Sequence, residues 1–190
     1  MADDTQVEMG VKGSFYVAPV GTTAPTDPYS SWGVGWIDLG YVTEDGLSES
    51  LNENRTELKA WGYSGAVRTQ VTDRAATFKI TFMQTNAWTL ALYYGVDIAD
   101  MTSSGTGSTQ FLAFEEPQTP EPLYYALGMD VIDDNKPNRI IVARAEVTTK
   151  GDRTYKADSN QAFELTFSSL TAPNGGSPIT RQFGQVPLPS

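Results

Sequence analysis

The clearest hydrophobic pattern lies near the C-terminal end of the chain. In Gln161–Leu170, Phe163, Leu165 and Phe167 alternate with Glu164, Thr166 and Ser168. This period of two is that of a strand with one buried face. Ala75–Thr85 repeats it: Phe78, Ile80 and Phe82 share one face, Lys79, Thr81 and Met83 the other. Further strands are predicted at Ser14–Ala18, Trp36–Thr43, Gly65–Asp73, Gln110–Phe114, Leu123–Val131 and Arg139–Thr149. One segment breaks to helical spacing. In Asn86–Tyr94, Trp88 and Leu92 lie four apart, Asn86 is placed to cap the N-terminus, and Gly95 to stop the helix.

Between these elements the pattern fails in informative ways. Pro19–Gly35 is too rich in Pro, Gly and Ser for a regular element. Glu44–Gly62 is polar and charged, with Leu47, Leu51 and Leu58 too sparse for a helix face. It is expected as a long excursion between strands. Residues 1–12 and 172–190 read as extended polar arms around a β core at 13–171. The expectation is a mainly β fold in one domain spanning 1–190, a β-sandwich or partial barrel of about seven or eight strands with one flanking α-helix.

Composition removes most chemistry. The 190 residues contain no Cys and no His. Thiolate sites, Ser–His–Asp triads and imidazole metal sites are therefore excluded. Net charge is −10, and residues 1–57 hold ten acids against Lys12 and Arg55, or −8 of it. No basic cluster offers a phosphate-binding surface. The start of the chain is acidic and lacks an apolar signal core, so no signal peptide or membrane insertion is expected.

The remaining candidates are weak as sites. Gly33-Val34-Gly35 lacks the third glycine and following helix of a dinucleotide loop. Asp130, Asp133, Asp134 and Asn135 could offer oxygens to calcium, but a hairpin turn needs the same residues. Glu115, Glu116 and Glu121 sit in a Pro-rich loop that would not hold a glycosidase pair. Asn54-Arg55-Thr56 matches a glycosylation sequon, which without a signal peptide reads as chance. Trp32, Trp36, Trp61 and the Tyr93-Tyr94 and Tyr124-Tyr125 pairs could stack on sugars, as in a monomeric carbohydrate-binding module, but aromatics in β proteins more often serve a core or subunit interface. No cofactor, metal or catalytic group is expected, and the protein is not read as an enzyme. Long arms and an excursion without a site suit an assembly protein whose segments order against neighbouring copies.

Four runs carry a family resemblance: GSFYVAPVGTTAPTD (13–27), WIDLGYVTEDGL (36–47), TFKITFMQTNAWTLALYYG (77–95) and DRTYKADSNQAFELTF (152–167). In these the chain resembles the major tail tube proteins of long-tailed bacteriophages, those of actinobacterial siphophages in particular. The resemblance implies homohexameric rings stacked into a hollow virion tube through which viral DNA passes without specific binding. It also implies contacts with tape-measure, tail-tip and tail-terminator proteins. A tail-tip or injection-machine adaptor is the related alternative. Six copies giving four strands each form a barrel of about twenty-four strands, roughly 48 Å across its backbone, with a bore of roughly 35–40 Å. On this reading Glu44, Leu47, Leu51, Asn54, Arg55, Leu58, Trp61 and Phe183 are the expected subunit or ring contacts. Asp38, Glu146 and Glu164, each alternating with apolar residues on an expected strand, are candidates to line the bore.

Overall fold

Alternating side chains from six strands meet on one face of a curled antiparallel sheet. The computed structural model describes residues 7–157 and 160–186. Ten strands occur among these: β1 (Lys12–Pro19), β2 (Ile37–Asp38), β3 (Val42–Lys59), β4 (Ala66–Phe82), β5 (Thr102–Ser104), β6 (Phe111–Ala113), β7 (Tyr125–Asp133), β8 (Lys136–Lys150), β9 (Phe163–Ser169) and β10 (Ile179–Phe183). The main sheet runs β2-β1-β7-β8-β9-β4-β3, and β10 pairs beside the first half of β8. β5 and β6 form a separate small ribbon.

The core face collects Phe15 and Val17, Leu127 and Met129, Val142, the Phe163-Leu165-Phe167 row, and Phe78, Ile80 and Phe82. Phe15 meets Phe82 edge to face, with centroids 6.1 Å apart, so the sheet curls until β1 and β4 touch across the core. It does not close. A cleft of about 710 Å³ separates Gly10–Phe15 from Tyr41–Leu47. The expected mainly β fold with one α-helix is what the described residues form.

The helix α1 (Ala87–Tyr94) is capped as its sequence predicts. The Asn86 carboxamide accepts from the Thr89 amide at 2.8 Å, and Gly95 (φ 69°) closes the other end. Leu92 is buried in the core. Trp88 and Tyr93 flank it against Tyr125 and Phe163.

Several boundaries differ from the sequence reading. Trp36–Thr43 is not one strand, because Gly40 turns with φ 88° and separates β2 from β3. Gly65–Asp73 and Ala75–Thr85 are one strand, β4. The excursion at 44–62 is not a loop. It is largely β3, paired along its length with β4, and its alternation is weak because most of it has no core to face. Of the N-terminal arm, residues 1–6 lie outside the described residues, and Met9 and Val11 bond to the β7 end at Asp133 and Ile132. The C-terminal arm includes β10, and residues 187–190 lie outside the described ones.

Candidate functional site

The longest element is a two-stranded ribbon that outruns its sheet. β4 pairs with β9 only over Thr77–Phe82, whereas its pairing with β3 continues outward to Lys59↔Ala66. Residues 66–76 therefore carry β3 beyond the end of β9 by about 35 Å at ~3.3 Å per residue. Every residue from Ser48 to Arg74 is exposed. Directly paired residues share a face. The core-side face carries Glu49, Leu51 and Glu53, the other Ser48, Ser50, Asn52 and Asn54.

Charges rather than apolar contacts run along the core-side face. Arg181 of β10 binds Glu49, and Glu53 bridges Arg55 at 3.0 Å and Arg74 at 3.4 Å. The Arg55 hydrogen bond holds the Glu53 carboxyl below its usual range. The Glu53 pairs are exposed and screened by solvent, whereas Arg181 and Glu49 are each only about a quarter exposed.

The expected contact residues distribute along this ribbon unevenly. Glu44 lines the cleft between β1 and β3. Leu47 packs against the core opposite Ile80. Leu51 and Leu58 are exposed, and the Asn54 carbonyl accepts from Thr72 across a bulge. Trp61, at 102% relative exposure, stands at the tip. Phe183 lies apart from them, exposed at the end of β10.

Two of the three candidate bore carboxylates share one sheet face, Glu146 of β8 lying opposite Ser168, four residues along β9 from Glu164. Glu146 and Glu164 sit on the sheet face opposite the core, among Thr77, Thr81, Thr166 and Ser168. Lys79 holds Glu164 at 2.8 Å. Asp38 is at the far edge, on β2, where it accepts from the Gly40 amide.

The same sheet face is covered at its other half by residues 19–36. Arg139, 3% exposed, donates through Nε and Nη2 to Asp130 at 2.6 and 2.8 Å and through Nη1 to the carbonyls of Asp27 and Ser30. Its guanidinium stacks on Trp32, whose Nε1 donates to Asp130 at 2.7 Å. The Trp32 ring lies so close over Gly128 that a Cβ there would come within 2.2 Å. Asp27 ties the loop internally, accepting from the Ser30 hydroxyl and the Tyr29 and Ser30 amides. These bonds, the hydroxyl first, hold its carboxyl below the ordinary range.

This lock was not found from sequence. Its signal was the turn centre: the Asp133↔Lys136 pairing sets Asp130 opposite Arg139. Asp130 is therefore taken by Arg139, and Asp133 accepts from the Met9 amide. No cluster of three metal-capable side chains occurs among the described residues. Trp32 and Trp36 pack together over the sheet and Trp88 on Tyr125, whereas Trp61 stands exposed at the ribbon tip.

The described residues form a β body with long strand edges and a projecting two-stranded ribbon, and no metal-capable cluster. The chain belongs to the phage tail tube protein family, whose model matches residues 1–180. It is a structural protein of the virion tail. It is similar to a chain in the virion of a native gene transfer agent particle, with 8% identity, TM-score 0.43, and 89% of this chain and 94% of that one covered. It is also similar to a chain in the 6-fold symmetrised cryo-EM structure of the anti-feeding prophage baseplate, with 15% identity, TM-score 0.37, and 93% and 94% covered. A comparison with curated protein sequences gives no match. No helix among the described residues is long and apolar enough to cross a membrane.

Proposed function

We propose that six copies form a ring, that rings stack into the hollow tail tube, and that the β3–β4 ribbon joins one ring to the next. One observation carries this reading: about 35 Å of paired strand projects from the body with an open edge on each side. Exposed edges of this length invite pairing with another chain. Assembly of identical copies covers them in a defined geometry.

The face bearing Glu146 and Glu164 is the one that lines the bore. Its Ser and Thr hydroxyls keep it wetted, and the Lys79–Glu164 pair leaves little net charge there apart from Glu146. Duplex DNA then meets no cation cluster on this face and slides. Tape-measure, tail-tip and tail-terminator proteins are the partners at the tube's interior and ends.

The test removes the ribbon without touching the body. Asn52 and Ala75 are directly paired, so residues 53–74 can be replaced by an Asn-Gly turn. The shortened protein is expected to keep its β circular dichroism and to form no tubes in negative-stain electron microscopy. Tubes of normal length from the shortened protein would refute the assignment.

A further inference from the structure

The ribbon tip and a groove at the other end of the body are complementary. β4 runs from the tip through its pairing with β9 to Phe82, and α1 follows a few residues later. The α1 end is thus opposite the tip, so copies arranged head to tail would bring one copy's tip towards the next copy's α1 end.

A groove lies at that α1 end. β7 begins at Tyr125 opposite Ala145, so Glu146–Lys150 of β8 has β9 on one side and no strand on the other among the described residues. A cavity of about 390 Å³ lies along this edge, floored by Ala91, Leu92, Leu123 and Val147. It adjoins a second of about 910 Å³ bordered by Asp97, Asp100, Glu115, Glu116 and Glu121. The buried Tyr125 hydroxyl in the wall of the first has no hydrogen-bond partner among the described residues.

The charges are arranged in the same sense. Six carboxylates, Asp97, Asp100, Glu115, Glu116, Glu121 and Glu146, border the two cavities, against one cation, Lys150, in the first. Residues 58–72, at the tip, contain Lys59 and Arg68 and no acid; Glu57 lies just below and pairs with Lys59 at 4.0 Å, so Arg68 is the freer of the two cations. The tip also presents Trp61 and Tyr63, both strongly exposed, which match an apolar floor better than solvent does.

We propose that this groove receives the β3–β4 tip of a second copy, with Lys59 and Arg68 against its carboxylates and Trp61 over its apolar floor. The contact is head to tail, so it propagates along a stack rather than closing on a pair. It rests on the reading of the ribbon as the joint between rings and adds the surface that the ribbon meets.

Charge reversal in the full chain tests it. Glu116→Lys with Glu121→Lys, and separately Lys59→Glu with Arg68→Glu, should each raise the critical concentration for tube formation roughly tenfold. All four together should return it to within about threefold of the parent. Because the chain has no Cys, Trp61→Cys with Leu123→Cys gives a direct second measurement. Under mild oxidation the assembled variant should yield disulfide-linked multimers. If the groove variant assembles like the parent and no cross-link forms, the groove is not the receptor. If the protein lacking residues 53–74 also forms tubes, the ribbon reading falls with it; if that protein does not, only the groove is lost.

Discussion

Replacing Asp130 by Asn isolates the worth of the lock beneath residues 19–36. The carboxylate takes three donors, Arg139 Nε, Arg139 Nη2 and Trp32 Nε1, all within 2.8 Å. Asn keeps the shape but supplies one acceptor oxygen and turns an amide donor towards donors. The Arg139 guanidinium, 3% exposed, then stays buried without its counter-charge. Removing one partner of a buried pair costs about 3–5 kcal/mol, and both members here are too enclosed for solvent to screen much of it. In a chain of this length that is a fall in Tm of roughly 6–20 °C. Urea unfolding at concentrations below assembly, followed by circular dichroism and Trp fluorescence, measures it. Replacing both partners, Asp130→Leu with Arg139→Met, should recover a large part of the loss, because no lone charge is left. A D130N cost under about 1 kcal/mol would refute the claim that this pair is what fastens the loop.

The other predictions concern Tyr125 and the ribbon. Burial pushes the Tyr125 hydroxyl up to about 12 from its ordinary 10.0. The unfolded chain therefore releases this proton first, and the stability it represents is intact below pH 10.0 and lost as pH rises towards 12. Tyr125→Phe should flatten that alkaline limb in a pH series of urea melts, while costing little at pH 7 because the hydroxyl has no partner among the described residues. An unchanged alkaline limb would contradict this. In amide hydrogen exchange, residues 53–74 should exchange quickly in the free subunit and become protected in the tube. Equal protection in both states would show that the ribbon needs no neighbour.

Where a segment faces the core, its sequence states its structure. Phe163, Leu165 and Phe167 alternate, and β9 buries them in that order. Asn86 and Gly95 bracket α1 as their side-chain chemistry requires. Legibility stops where the apolar partner stops. β4 reads as two strands because its buried face ends at Ala76, and Arg74 falls where the strand leaves the body. β3 reads as a loop because pairing, not burial, makes it a strand, and backbone hydrogen bonds leave no period in the side chains. The lock failed to show for a related reason. Asp130, Trp32 and Arg139 each have an ordinary local explanation, and only register brings the three together. Leu47 shows the opposite case, a residue expected as a contact whose alternation continues the core face of β3.

The ribbon's composition follows from what it must be before and after assembly. Two strands with no apolar face are marginal in water, and the Glu53, Arg55 and Arg74 pairs are too exposed to change that. An apolar ribbon would be firmer but would leave a long sticky edge on every free subunit. In the proposed assembly, a polar ribbon with charged flanks would avoid that sticky edge and take its order from the neighbour that covers it. The acidic surplus acts in the same direction. Chains at net −10 repel one another at long range, while in the proposed contact the cations of the tip would be attracted to an acidic groove once two copies align. On that proposal the balance would oppose random contact and favour the one orientation in which tip meets groove. It is steepest at low salt, and screening weakens both sides of it as ionic strength rises.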